Sequence, residues 1–145
     1  MKLTQAALAI GAILALAAPA MAQQSSYTPG TVWQITDMKV EPGQFENYMD
    51  YLAGDYRKSM ELQKSLGTVV SYHIYSVNNP RMGEPDLILA VEFKDYVTTA
   101  QQAEIQKKIQ TAMATDAHKS DTASGARAKM RTQIGSVEMQ ELKFK

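Results

Sequence analysis

Two histidines are the side chains of this chain that exchange protons most readily near neutral pH. His73 lies in a β-rich segment between Tyr72 and Tyr75, and an imidazole can act as a general base or ligate haem iron. The alternative is a half-buried strand histidine without chemistry. His118 lies beside Lys119 in a polar segment and is expected to be solvated. His73 is therefore the histidine with a candidate catalytic role.

Glu92 is the second candidate catalytic residue. It shares the more mixed face of a predicted strand with Ile88 and Ala90. If that face lines a cavity, loss of hydration favours the neutral carboxylic acid, which fits the group for proton transfer. The alternative is a glutamate at a rim, paired with Lys94 or with an arginine. His73 and Glu92 together form the predicted acid/base pair.

Three further side chains are candidates for ligand binding. Trp33 is the only tryptophan of the chain and could stack on an aromatic molecule, although a strand tryptophan also fills cores and interfaces. Tyr75 lies on the same predicted strand as the candidate histidine. Arg81 lies in a predicted loop and could hold an anionic ligand. The alternative for Arg81 is a local ion pair with Glu84 or Asp86, which would contribute little.

The composition excludes several classes of protein. The chain has no cysteine, which excludes disulfides, thiol nucleophiles and cysteine-ligated metals. Two histidines without metal-binding spacing argue against a zinc site, so we predict no metal and no other cofactor. The 145 residues include 15 basic and 15 acidic side chains, and this balance argues against a nucleic-acid partner. Because no nucleotide-binding or hydrolase motif is present, it stays open whether the protein is an enzyme.

Residues 1–22 have the composition of a secretory signal peptide. Lys2 gives a positive start, residues 6–18 form an apolar run, and Ala20-Met21-Ala22 offers the small residues that signal peptidase requires. An apolar run of this length is too short to span a bilayer well, which argues against a retained anchor. We predict cleavage before Gln23 and a periplasmic or secreted mature protein that contacts no membrane.

Hydrophobic periodicity divides the rest of the chain into strands and helices. Residues 23–30 are polar and predict a flexible lead-in to one domain over 31–145. The pattern predicts strands at 31–40, 68–76, 86–94 and 137–144, and helices at 43–66, from Thr98 onward and at 126–134. Thr98 and Gln101 have the spacing of a capping box. Residues 114–125 are small and polar and predict a loop.

This order of elements predicts an α+β fold of the ferredoxin-like type. Its four-stranded antiparallel sheet would carry both long helices on one face, with an extra short helix before the last strand. The opposite face would be bare, and depending on the register it would hold Trp33 or Val32, Tyr72 or His73, Ile88 and Ala90. An exposed apolar patch of this kind usually contacts a partner. We therefore predict a homodimer in which the two bare faces pack together.

Three local features carry a resemblance to known families. The first strand ends in Val40-Glu41-Pro42-Gly43, the helix that follows is rich in Phe and Tyr, and the strand at 87–93 follows the turn Gly83-Glu84-Pro85-Asp86. In these features the sequence resembles the dimeric α/β-barrel superfamily, which includes NIPSNAP-like, EthD-like and antibiotic-biosynthesis-monooxygenase-like families. The resemblance covers residues 31–144 and implies a homodimeric barrel.

The resemblance leaves three functional hypotheses open, because its members range from cofactor-independent oxygenases through haem-binding enzymes to proteins of unknown role. The first is an exported dimer that binds a small apolar or aromatic molecule. The second is a cofactor-independent oxygenase or isomerase that uses His73 and Glu92. The third is haem binding through His73.

Overall fold

The structure, a computed structural model, describes residues 24–145. Its strands are β1 (Tyr27–Val40), β2 (Val69–Ser76), β3 (Leu87–Phe93) and β4 (Arg131–Phe144). Its helices are α1 (residues 45–65), α2 (Thr99–Ala112) and α3 (Ala117–Arg127). The predicted signal peptide lies outside the described residues.

The four strands form one antiparallel sheet in the order β2-β3-β1-β4. Strand β1 pairs with β3 on one side and with β4 on the other, so the first and last strands are neighbours. Both α1 and the α2–α3 pair therefore cross from one strand to a non-adjacent position in the sheet, as in the ferredoxin-like arrangement. The predicted α+β fold is confirmed.

Strand β1 is longer than the sequence predicted. It begins at Tyr27 rather than at Thr31, because Tyr27 pairs with Phe144 of β4. The lead-in predicted over 23–30 is thus wrong for its last residues, which are part of the sheet. The signal was hidden because Pro29 and Gly30, which usually indicate a loop, lie at a β-bulge in the pairing with β4.

Helix α1 supplies two of the five side chains of the buried core cluster, and the strands supply the others. Its segments Phe45–Tyr51, a π-helical Leu52–Tyr56 and Arg57–Ser65 run on without a break in helical conformation. Gly67 adopts a positive φ of 75° directly after it, as the sequence predicted for the end of this helix. The buried core cluster consists of Met38, Tyr48, Leu52, Leu87 and Leu89.

Helix α2 begins as predicted and packs loosely. The Gln101 backbone N–H donates to Thr98 Oγ1 at 3.3 Å, and the Thr98 backbone N–H donates to Gln101 Oε1 at 2.9 Å. These two bonds form the expected capping box. Ile105 is the one residue of α2 that is buried, so α2 contributes far less to the core than α1.

The predicted extra short helix before the last strand is present, but the bounds predicted between residues 114 and 134 are wrong. Helix α3 spans Ala117–Arg127, where a loop was expected, and β4 starts at Arg131, where a helix was expected. The helix start is stabilised by Asp116, whose Oδ1 accepts a hydrogen bond from the Lys119 backbone N–H at 2.9 Å. The strand start is fixed by pairing of Arg131 with Val40. Neither the Asp116 cap nor the pairing of Arg131 with Val40 produces a periodic pattern of apolar residues. Hydrophobic periodicity therefore did not predict the helix or the start of the strand.

With the exception of Ala90, the buried apolar residues of the sheet lie on the face that α1 covers. Val32 and Met38 of β1 are buried there, and Tyr72 of β2 donates a hydrogen bond to Glu61 of α1 at 2.7 Å. Because side chains alternate along a strand, the neighbouring Trp33 and His73 lie on the opposite face. Among residues 24–145, no helix is both long and apolar enough to cross a membrane.

Candidate functional site

The sheet surface that no helix of residues 24–145 covers brings most of the predicted site residues together. We call it the helix-free face. Alternation and strand register place on it Thr31, Trp33, Ile35, Asp37 and Lys39 of β1, Ser71, His73 and Tyr75 of β2, Ile88, Ala90 and Glu92 of β3, and Val137, Met139, Glu141 and Lys143 of β4. It contains both predicted catalytic residues and two of the three predicted ligand-binding residues.

Three rings form a row across this face, which we call the aromatic row: Trp33, His73 and Tyr75. The Trp33 and His73 rings are stacked with centroids 6.5 Å apart and planes 19° apart. The His73 and Tyr75 rings are stacked at 5.9 Å and 23°. These separations are in the range of offset aromatic pairs. The three rings therefore form one continuous aromatic surface.

A small residue between the strands makes this row possible. Ala90 of β3 pairs with Ile35 of β1 on one side and with His73 of β2 on the other. Its methyl group leaves room for the rings from both flanking strands to approach each other. Ala90 is only 3% exposed although no helix covers it, because its neighbours on the helix-free face shield it.

Glu92 is fixed beside the aromatic row by two hydroxyl groups. Thr31 Oγ1 donates to Glu92 Oε1 at 2.9 Å, and Ser71 Oγ donates to Glu92 Oε2 at 2.7 Å. In the register, Glu92 lies directly opposite Trp33 on β1 and Ser71 on β2. Both carboxylate oxygens are thus acceptors in bonds from neutral donors, and the group is held in one orientation.

Most charged side chains at the two ends of the helix-free face form ion pairs. Lys39 of β1 is paired with Asp86 at 2.8 Å, and Lys143 of β4 is paired with Glu141 at 3.4 Å. Within residues 24–145, no lysine, arginine or histidine lies within 4.0 Å of the Glu92 carboxylate. The rim pairing considered for Glu92 is therefore not formed, and the carboxylate has no cationic partner.

Arg81 is not brought to this site. It lies in the loop between β2 and β3, where its Nε donates to Glu84 Oε1 at 2.6 Å and its backbone N–H donates to Glu84 Oε2 at 2.7 Å. Its side chain is 88% exposed. The local ion pair, which was the alternative for this residue, is the arrangement found. His118 is exposed on α3, as expected for a solvated residue.

Thr31 and Ser71 are functional residues that sequence reasoning missed. Each lies far from Glu92 along the chain and meets it only through the pairing of β1 and β2 with β3. The signal that could have found them is the strand register, since a threonine and a serine flank the glutamate on neighbouring strands. Periodicity alone does not give register.

A second region that the sequence analysis missed is a cavity of about 320 Å³ on the covered face of the sheet. Its lining includes Gln34, Thr36, Met38, Tyr56, Met60, Gln63, Leu89, Val91, Phe93, Gln102 and Gln133. The Tyr56 hydroxyl is buried and has no hydrogen-bond partner among the described residues. Burial raises the pKa of Tyr56, and the nearby tyrosines reinforce this shift. Gln34 and Thr36 are polar at core-facing positions of β1, which was the available signal.

Metal binding has no basis in the described part of the chain. No group of three or more His, Asp or Glu side chains within residues 24–145 is placed to hold an ion. The helix-free face therefore offers ring surfaces, one oriented carboxylate and two hydroxyls as its means of contacting a ligand.

Comparisons with known proteins concern the fold. No protein-family model and no curated protein matches the chain. Solved structures similar to it include HapK from Hahella chejuensis, with 10% identity, a TM-score of 0.48 and coverage of 76% of this chain and 91% of HapK. A NIPSNAP family protein of unknown function from Agrobacterium tumefaciens has 16% identity and a TM-score of 0.48, with coverage of 80% and 92%. PA3566 from Pseudomonas aeruginosa has 11% identity and a TM-score of 0.45, with coverage of 80% and 96%.

NIPSNAP is one of the families that the sequence resembles. The sheet order of this chain, with β1 between β3 and β4, is in itself the ferredoxin-like arrangement.

Proposed function

We propose that the chain is an exported homodimer whose helix-free faces enclose a binding site for a small apolar or aromatic molecule. The observation that carries the proposal is the aromatic row, which lies with several apolar side chains on a sheet surface that no helix of residues 24–145 covers. Tyr75, Val137 and Met139 are about half exposed there. Large apolar side chains grouped on one surface usually mark a partner or ligand site.

The dimer is tested by one charge placed on the helix-free face. Met139→Asp puts a carboxylate into the proposed sheet-to-sheet interface and should convert the dimer to a monomer, measured by analytical ultracentrifugation at micromolar concentration. Met82→Asp is the matched control, because Met82 is fully exposed in the loop between β2 and β3, and it should remain dimeric. A wild-type protein that sediments as a monomer would disprove the proposed dimer.

Ligand binding is tested with a neutral aromatic probe. Trp33 is the only tryptophan and lies in the aromatic row, so its emission reports directly on the proposed site. Titration with tert-butylbenzene should shift the emission of the wild type, with matching heat in calorimetry. It should leave the Met139→Asp variant unchanged, because only the dimer encloses the site. A wild type that gives neither signal would contradict the proposal.

Export is the part of the proposal that rests on residues 1–22. Intact-mass measurement of the protein recovered from the periplasm or the medium should give a chain that begins at Gln23. A soluble exported species that retains Lys2 would contradict it.

An acid/base enzyme is the second candidate function, favoured by the placement of His73 and Glu92 on the same face. Each has an aromatic neighbour, since His73 stacks on Trp33 and Glu92 lies opposite it. However, both Glu92 oxygens already accept hydrogen bonds from Thr31 and Ser71, which suits a fixed acceptor better than a mobile base. Turnover of an aromatic substrate that is lost in both His73→Gln and Glu92→Gln would favour the enzyme.

Haem ligation by His73 is the remaining hypothesis. An absorbance scan of the purified protein after addition of haem should show no Soret shift if the site is reserved for the aromatic ligand. A shift that disappears in His73→Gln would instead support haem binding.

A further inference from the structure

We infer that the ligand of the helix-free face is an organic cation, with its positive nitrogen against Glu92 and its apolar or aromatic body against the aromatic row. This inference rests on the proposed function, since it names the chemical class of the molecule that the enclosed site binds. It is independent of whether the ligand is also transformed.

Glu92 differs from the carboxylates that form ion pairs, because it has no cationic partner among residues 24–145. Several carboxylates of the described residues form ion pairs, among them Asp86 with Lys39 at 2.8 Å and Glu84 with Arg81 at 2.6 Å. Glu92 is oriented just as firmly, but its two donors, on Thr31 and Ser71, are uncharged. Hydroxyl donors fix the position of a carboxylate and leave its negative charge uncompensated.

Enclosure of the site in the proposed dimer raises the free-energy cost of leaving the Glu92 carboxylate without a cationic partner. A carboxylate that is removed from water without a cationic partner is costly, and that cost is recovered only when a positive group is brought close to it. The lysines of this face, Lys39 and Lys143, are paired with Asp86 and Glu141, and no cationic group of residues 24–145 lies within 4.0 Å of the Glu92 carboxylate. His73 lies opposite Ala90 rather than opposite Glu92. The missing positive charge is therefore assigned to the ligand.

The aromatic row also favours a ligand with a positive charge. The faces of aromatic rings carry negative electrostatic potential and attract cations, and indole is the strongest of them. Trp33 is the residue directly opposite Glu92, so ring and carboxylate attract a positive nitrogen at one place. An anion would be repelled by both groups, and a neutral molecule would leave Glu92 unpaired.

The test uses two probes of the same shape. Phenyltrimethylammonium and tert-butylbenzene differ in one atom, nitrogen or carbon, and hence in one positive charge. Affinities are measured on the full mature protein by calorimetry, with Trp33 emission as the site-specific signal. We expect the cation to bind the wild type at least about tenfold more tightly than the neutral probe.

Two variants of the same chemical change separate the site from general electrostatics. Glu92→Gln should reduce the preference for the cation to about threefold or less, because it removes the charge and keeps the shape. It should leave the affinity for tert-butylbenzene unchanged. Glu138→Gln is the matched control, since Glu138 pairs with Gln34 on the other face, and it should retain the full preference. Glu92→Asp keeps the charge and should retain most of it.

The outcomes distinguish this inference from the proposed function. If neither probe binds, the proposed function fails, and the inference fails with it. If tert-butylbenzene binds and the cation is not preferred, the site exists and the inference alone is overturned. A preference that persists in Glu92→Gln would also overturn it. The comparison of the two probes on the wild type decides the matter even if Glu92→Gln does not fold.

Discussion

The two faces of the sheet are built from the same strands and differ in burial and in side-chain type, and we propose that they have different tasks. On the covered face, Met38, Leu87 and Leu89 pack with α1 into a core of nearly complete burial. On the helix-free face, the alternating residues include an aromatic row and an oriented carboxylate, which contribute little to that core. Because successive side chains point to opposite faces, each strand can carry stability and recognition in alternate positions.

This separation predicts that substitutions on the two faces have different effects. Those on the covered face should lower the stability of the protein. Those on the helix-free face should alter association and ligand binding while the fold persists.

The largest effect is expected in the core. Leu52 of α1 is 1% exposed, so Leu52→Ala should lower the free energy of unfolding by about 2–5 kcal/mol through lost burial and a cavity. Leu142→Ala is the matched control, because Leu142 is more than half exposed near the end of β4, and it should change little. Urea denaturation is measured at one fixed protein concentration, since dimer dissociation adds to the apparent stability. A loss below about 1 kcal/mol for Leu52→Ala would contradict the assignment of the core to this face.

The next effect is expected beneath the aromatic row. Ala90→Leu inserts a larger side chain where the rings of Trp33 and His73 approach, and overpacking of this kind costs about 1–3 kcal/mol. It should also shift Trp33 emission and abolish binding of tert-butylbenzene. Ala100→Leu on the exposed surface of α2 is the control and should affect neither property. Unchanged emission in Ala90→Leu would show that Ala90 does not determine the position of the rings.

A smaller effect is expected at an ion pair at the end of the helix-free face, away from the aromatic row. Asp86 accepts hydrogen bonds from Lys39 Nζ and from the Val40 backbone N–H, both at 2.8 Å, and so joins the end of β1 to the start of β3. Asp86→Asn should lower the free energy of unfolding by about 1 kcal/mol and leave probe binding intact. Asp55→Asn is the control, because its pair with Lys58 at 3.6 Å is exposed on both sides.

The pH dependence of this contact has a defined direction. The hydrogen bond from Lys39 holds the pKa of Asp86 below its usual value. A group with a lowered folded-state pKa stabilises the fold above its unfolded-state pKa, near 4, and this contribution is lost as the pH falls through the folded-state pKa. The difference between wild type and Asp86→Asn should therefore be full at neutral pH and shrink below about pH 4. A difference that grows on acidification would show that the carboxylate is not stabilised in its charged form.

Most of the fold, and the presence of a sheet face without a covering helix, could be predicted because they depend on local patterns. Alternation in β3 and the period of α1 fixed the element order, and that order placed one face without helices. Successive residues of a strand point to opposite faces, and the sequence did not show which of the two alternating sets faces the helices. Trp33 was therefore predicted only as an alternative to Val32. A shift of the strand by one residue moves every side chain to the other face. Only the pairing of β1 with β3 shows which set of residues lies on which face.

The parts that could not be predicted depend on partners distant in the sequence. The bonds from Thr31 and Ser71 to Glu92 require the register of three strands. Helix α3 depends on the Asp116 cap rather than on an apolar stripe, and the start of β4 depends on its pairing with β1. The cavity around Tyr56 depends on how loosely α2 packs against the sheet, and local sequence patterns do not predict how closely a helix packs.

That cavity gives the smallest and last prediction, because it tests whether the covered face serves only for packing. The Tyr56 hydroxyl is buried there without a hydrogen-bond partner among the described residues, and a buried unpaired hydroxyl destabilises a fold. Tyr56→Phe removes it at nearly constant volume and should leave the free energy of unfolding unchanged or raise it by up to about 1 kcal/mol. Tyr96→Phe is the control, since Tyr96 is half exposed in the loop after β3. A loss of more than about 1 kcal/mol in Tyr56→Phe would mean that the hydroxyl has a partner in the cavity. The covered face would then contain a polar site of its own, and the separation of tasks between the two faces would not hold.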